Sequence, residues 1–179
     1  MNIVAIVQAR LGSTRLPKKS LREILGKPML WHVVERLKQS RKITSIGIAT
    51  TINPLDDEIV TFAEKNNIPC HRGSEMDLLD RFHGAAKQFN ADVIVRIWGD
   101  CVMVDPAVVD KVIDHLLANK LDFCGNNRPA TFPRGMDCEV MTFAALEKAY
   151  NEAKGEFLRE YMSDYIVRNP QLFKTGNVV

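Results

Sequence analysis

The chain has no apolar run approaching 18 residues, which excludes a membrane-spanning helix. It has little net charge. Its 24 Lys and Arg against 22 Asp and Glu leave +2, so no global field marks nucleic acid as a partner. The four cysteines, Cys70, Cys101, Cys124 and Cys138, show no C-x-x-C spacing, which removes the common zinc and redox patterns. The first residues lack the charged n-region and cleavage site of a secretory signal. The cysteines therefore read as buried thiols of a protein working in a reducing cytoplasm. No repeat or low-complexity segment is present.

Catalytic signatures are also sparse. There is no G-x-x-x-x-G-K-[ST] P-loop and no G-x-G-x-x-G fingerprint. His32, His71, His83 and His115 are scattered with no H-E-x-x-H and no paired carboxylates, so structural roles are expected for them. Ser13 has no partnered base in view, which argues against a nucleophilic serine.

What the chain does have is alternation. Ile3–Gln8 reads as a buried strand, and Pro28 opens a helix whose stripe is Met29, Leu30, Val33, Val34 and Leu37. Ser45–Thr51 is a second strand, Asn53 or Asp56 starts a helix, and Ile68–His71 is a short strand. A helix follows over Asp77–Asn90, then a continuously apolar strand at Val93–Ile97, then a helix opened by Pro106. Asp122–Gly125 and Glu139–Thr142 add strands, and helices are expected near 143–154 and 157–168. The pattern predicts one α/β domain over residues 1–179, a three-layer αβα sandwich on a mostly parallel sheet. The segment from Asn126 to Asp137, with Pro129, Pro133 and Gly135, reads as a mobile loop over the ligand crevice.

The charge is unevenly spread. Residues 1–42 hold ten Lys/Arg against two Glu, and the remainder holds fourteen against twenty acids. Four cations, Arg10, Arg15, Lys18 and Lys19, fall just past the first strand. In open α/β sheets ligands bind in that crevice, and guanidinium forks suit phosphate oxygens. Gly12 is the loop's only glycine, so phosphates would be held by side chains and by N–H groups around Gly12 and Ser13. A solvated basic loop is the alternative.

Gly99-Asp100 follows the central strand directly. A carboxylate beside a basic loop makes sense if a hard cation bridges it to phosphate, and Mg2+ uses one or two carboxylates in that way. The alternative is an ordinary turn aspartate. Asp77 reads as an N-cap, while Asp80 and Arg81 lie where a ligand would meet the helix start. Arg134, Asp137 and Glu139 flank Gly135; they suit a sugar's carboxylate and hydroxyls, or form an ordinary charged hairpin.

The stretch from Val4 to Leu21, with Gly26-Lys27-Pro28-Met29-Leu30 and Val34-Glu35-Arg36, resembles the opening of the cytidylyltransferases that make CMP-activated sugar acids. These include CMP-KDO and CMP-acylneuraminate synthetases and the spore coat polysaccharide biosynthesis protein F group. The last group is the most similar, through S-E-x-D-L-L-D-R-F (Ser74–Phe82), V-R-I-W-G-D-C (Val95–Cys101) and R-G-M-D-C-E-V (Arg134–Val140). The likeness covers residues 2 to about 178.

It implies a nucleotide-diphospho-sugar transferase fold of Rossmann-like type, with CTP and a sugar acid as substrates and a possible homodimer. Ala9, Arg10, Leu11, Gly12, Ser13, Arg15 and Lys19 would hold the triphosphate, Asp77 and Arg81 the base or ribose, and Asp100 the magnesium. Arg10, Arg15, Lys19 and Asp100 would be the catalytic set.

Three departures stand out. Val102 replaces the usual proline two places after Asp100, and Tyr161 in Arg159-Glu160-Tyr161 replaces the histidine of an R-E-H motif. The family's V-D-T-P-E-D strand, whose aspartate is a second metal ligand, has no counterpart after Gly176-Asn177-Val178-Val179, so turnover by this chain is expected to be low. Two further readings stay open: a nucleotide-sugar-binding protein without turnover, and a glycosyltransferase, for which the expected D-x-D motif is missing.

Overall fold

The computed structural model describes residues 1–13 and 15–179; Thr14, part of the cation-loop pattern, lies outside the described residues. The strands are β1 (Ile3–Gln8), β2 (Glu23–Ile24), β3 (Lys27–Pro28), β4 (Ser45–Thr51), β5 (Cys70–Gly73), β6 (Val93–Trp98), β7 (Phe123–Gly125), β8 (Glu139–Thr142) and β9 (Thr175–Asn177). The helices are α1 (Met29–Leu37), α2 (Asp57–Lys65), α3 (Leu78–Gln88), α4 (Pro106–Asn119), α5 (Phe143–Glu152), α6 (Glu156–Glu160) and α7 (Asp164–Arg168).

Seven strands form one sheet in the order β5-β4-β1-β6-β8-β7-β9. All pairings are parallel except those of β8, which runs antiparallel to both β6 and β7. Side-chain alternation along the strands builds two cores. Ile3, Ala5 and Val7 of β1 join Val93, Val95 and Ile97 of β6 under α1, α2 and α4. Val4 and Ile6 join Ile94 and Met141 under α3, α5 and α7. This is the three-layer αβα sandwich that the alternation predicts. Among the described residues no helix is long and apolar enough to cross a membrane.

Three local features differ from the sequence reading. The expected helix over 157–168 is two short ones, broken at Tyr161–Ser163, where Tyr161 leaves helical torsions (φ −98°, ψ 67°). Ser163 there is buried, and its Oγ donates to Glu139 Oε1 at 3.2 Å, a tertiary bond that propensity does not encode. β9 was not expected; it forms by pairing with β7. β2 and β3 form a small hairpin over Leu25 and Gly26, both at positive φ (51° and 73°), as a two-residue type I′ loop requires. The expected start of the second helix holds: Asn53 caps a 3-10 turn at Pro54–Asp56, and Asp56 is the N-cap of α2, which begins at Asp57.

The segment from Asn126 to Asp137 is tied to the body. The Asn126 side chain donates to Met136 O and accepts from the Cys138 N–H, both at 2.9 Å, and Arg128 pairs with Asp164 at 2.9 Å.

Candidate functional site

A cavity of about 540 Å3 opens at the C-terminal ends of β1 and β6, the crevice where open parallel sheets bind ligands. Its size is that of a small-molecule site. Ala9, Arg10, Arg15 and Lys19 line it from the loop after β1, Arg81 from α3, Arg96 and Trp98 from β6, and Asp100 from the turn beyond. Cations thus outnumber acids on its walls.

The loop after β1 is anchored from below. Leu11 is buried, and its N–H donates to Asp56 Oδ1 at 2.7 Å. Asp56 is itself only 1% exposed and also accepts from the Thr51 N–H and hydroxyl. A buried carboxylate with three donors holds its conformation. It therefore fixes the loop's root to the end of β4 while Arg15 stays exposed. Leu11 is thus an anchor, and neither it nor Gly12 nor Ser13 lines the cavity.

Gly99 permits the approach of β6 to β1. Its N–H donates to Gln8 O at 2.9 Å, and a Cβ at this position would stand 2.8 Å from that oxygen. Asp100 follows, one-third exposed, with Lys19 Nζ on its Oδ2. Arg10 Nη1 lies 3.7 Å from Glu75 Oε1. Cys101 beside Asp100 is no nucleophile at neutral pH: burial, with the neighbouring carboxylate, pushes its thiol up to about 12.

Arg96 and Arg81 form the floor. Arg96 Nε donates to Gln8 Oε1 at 2.9 Å and Nη1 to Glu139 Oε2 at 2.8 Å, with the guanidinium 4.5 Å from the Trp98 ring centre. Arg81 is 5% exposed, and its Nε and Nη1 have no partner among the described residues. Burial, with Arg10 nearby, pushes its guanidinium down to about 10. An unpaired buried guanidinium suits an anion or an acceptor-rich ligand.

The expected site residues divide clearly. Ala9, Arg10, Arg15, Lys19, Arg81 and Asp100 meet in the cavity. Asp77 does not; it caps α3 through the Asp80 N–H at 2.8 Å and pairs with Arg159. Arg134, Asp137 and Glu139 do not line it either. Asp137 accepts the Gly135 N–H at 3.3 Å within its own turn, and Glu139 lies in β8, sealed behind Arg96. The sugar-binding set is therefore not assembled at this cavity. Sequence reasoning missed Glu75, Arg96, Trp98 and Glu160 as lining residues, although all four sit within the motifs quoted above.

A sequence model of the cytidylyltransferase family matches residues 4–178. The Bacillus subtilis spore coat polysaccharide biosynthesis protein SpsF is 31% identical over 181 residues, covering 93% of this chain and 74% of that protein. The 3-deoxy-manno-octulosonate cytidylyltransferase of Geobacter metallireducens is 36% identical over 122 residues, 66% of this chain and 46% of the enzyme, so the match spans under half the length of that relative. A cytidylyltransferase structure from Leptospira borgpetersenii superposes with a TM-score of 0.93 at 36% identity, covering 99% of this chain and 76% of that one. The structure of CMP:2-keto-3-deoxy-manno-octonic acid synthetase complexed with CTP shares the fold, with a TM-score of 0.75 at 18% identity, covering 99% and 90%. With the cation loop, the β6 carboxylate and this match over nearly its whole length in place, the chain belongs to the cytidylyltransferase family.

Proposed function

We propose that this chain is a nucleotidyltransferase that uses CTP to activate a sugar acid as its CMP derivative, in surface polysaccharide or glycan biosynthesis. One observation carries the reading: Arg10, Arg15 and Lys19 converge with Asp100 on one cavity. The acceptor hydroxyl oxygen attacks the α-phosphorus and loses its proton, the bond to the β-phosphate oxygen breaks, and pyrophosphate leaves. Such chemistry needs positioning and charge neutralisation rather than a covalent intermediate.

Arg10 and Arg15 bind the β- and γ-phosphates, and Lys19 draws charge from the leaving pyrophosphate. Asp100 fits a magnesium ion, since Lys19 engages only its Oδ2 and the remaining coordination positions suit phosphate oxygens and water. Among the described residues no group of three or more potential ligands exists, so Asp100 would hold such an ion together with the nucleotide. When bound, magnesium supplies charge neutralisation at the α-phosphate.

The test is pyrophosphate release with CTP, UTP, ATP or GTP, each with magnesium and with 3-deoxy-manno-octulosonate or N-acetylneuraminate as acceptor. CTP with a sugar acid is expected to give product. Larger turnover with another triphosphate would move the chain to a different nucleotidyl transfer.

A further inference from the structure

The transfer described above leaves one proton unassigned, that of the attacking hydroxyl. A side chain that takes it must reach the cavity and must accept a proton at neutral pH. Among the described residues the cavity walls carry no histidine and no cysteine, and the choice falls to three carboxylates, Glu75, Asp100 and Glu160.

Two of them are committed. Asp100 holds Lys19 on Oδ2, with its other oxygen left to the magnesium it suits. A carboxylate given to an ammonium and a metal has no oxygen left for the hydroxyl proton. Glu75 accepts from Asn53 Nδ2 at 3.0 Å through Oε2, and its Oε1 lies 3.7 Å from Arg10 Nη1, on the side of the cation loop. Glu160 differs: it lines the cavity exposed, and neither carboxylate oxygen has a hydrogen-bond or ion-pair partner among the described residues.

The backbone that carries Glu160 is nevertheless held on both sides. Arg159, the residue before it, pairs with Asp77 at the start of α3, and its Nη1 donates to Tyr150 O at 3.0 Å. Ser163, beyond the end of the helix, is buried and donates to Glu139 Oε1 at 3.2 Å. Glu160 thus ends α6 between an anchor on α3 and an anchor on β8. No structural contact uses its carboxylate.

We propose that Glu160 is the general base of the transfer, an inference that rests on the cytidylyltransferase reading above. Its carboxylate takes the acceptor's hydroxyl proton as the hydroxyl oxygen bonds to the α-phosphorus. The bond from that phosphorus to the bridging oxygen breaks, and pyrophosphate leaves with the electron pair. Glu160 is exposed, so it returns the proton to water and no further reactant is needed. The acceptor hydroxyl then lies at the α6 wall, while the cations of the loop after β1 hold the triphosphate.

The experiment uses the full chain, radiolabelled CTP with magnesium, and 3-deoxy-manno-octulosonate or N-acetylneuraminate as acceptor. Glu160→Gln keeps the side chain's shape and removes the base, and Glu160→Ala leaves room for a small external carboxylate. Both are expected to lower kcat by roughly 10²–10⁴-fold, the range for loss of a general base. CTP affinity, read by calorimetry without acceptor, is expected to stay within about twofold, which also reports an intact fold. Sodium formate is expected to raise the rate of Glu160→Ala as its concentration rises, while sodium chloride at equal ionic strength does not. A kcat for Glu160→Gln within about threefold of wild type overturns the inference alone. A loss carried by the acceptor KM with kcat unchanged, or one that formate does not restore, makes Glu160 a binding or structural residue and also overturns it. If the wild type makes no CMP product with either acceptor, the cytidylyltransferase reading falls and the base falls with it.

Discussion

Arg96 and Glu139 face each other across β6 and β8, Nη1 to Oε2 at 2.8 Å, with 7% and 1% of their surfaces exposed. They are the aligned cross-strand pair at the point where the sheet changes from parallel to antiparallel. Gln8 and Ser163 complete the set, so β1, β6, β8 and the α6–α7 break all meet at one guanidinium. Removing one partner strands the other charge. Glu139→Ala is expected to destabilise the fold by about 3–5 kcal/mol in urea unfolding. A loss below about 1 kcal/mol, the scale of an exposed pair, would contradict the buried-pair description.

Phosphate binding should depend on the loop and stability should not. Arg15 is exposed, so Arg15→Ala is expected to cost roughly 1.5–3 kcal/mol in tripolyphosphate or CTP affinity, the scale of a hydrogen bond to a charged group. The melting temperature should stay near that of the wild type. Unchanged affinity in both Arg10→Ala and Arg15→Ala would remove the phosphate clamp.

Asp100→Asn removes a charge but little volume from a partly exposed position. It is expected to abolish turnover and to shift unfolding by no more than about 1 kcal/mol. Binding of Mn2+, used as a paramagnetic probe, should be weak without nucleotide, tighten with CTP, and lose that tightening in the variant. Metal binding that is strong without nucleotide would point to ligands other than Asp100.

His83 gives the α3–α5 interface a pH dependence. Its ring stacks on Tyr150 at 4.0 Å and on Phe143 at 5.8 Å, and burial, aided by Lys87, holds its pKa below the ordinary 6.5 despite Glu147 at 3.8 Å. A lowered folded pKa means that the unfolded chain binds the proton more readily. The contribution is therefore fully present above pH 6.5 and declines as pH falls from there toward the folded value. Followed by chemical unfolding across this range, the wild type should lose stability relative to His83→Phe as the pH drops. A constant difference would exclude the linkage.

The order of strands and helices was legible because burial on one face writes a period into the chain. Val4 and Ile6 against Ile3, Ala5 and Val7, and the stripe of α1, are such patterns. The cation loop was legible for a different reason: Arg10, Arg15 and Lys19 are close along the chain, and the end of a strand places them together whatever surrounds it. β9 was not legible, because Thr-Gly-Asn carries no apolar alternation and becomes a strand only by pairing with β7. The break at Tyr161–Ser163 was hidden for the same kind of reason, since Ser163 turns inward to a carboxylate 24 residues away.

The sequence by itself therefore determined the layered α/β architecture, the cation-bearing loop after the first strand and the carboxylate after the central strand, all of which follow from local order and hydrophobic period. Tertiary structure alone decided which charges are free. Glu139 belongs to Arg96 because antiparallel register sets two residues, 43 apart in the chain, side by side. Arg81 lies at the cavity, with Nε and Nη1 unpartnered among the described residues, because α3 rests close against Gly73 of β5. A hydrogen-bonding partner depends on distance in space, and separation along the chain does not report it.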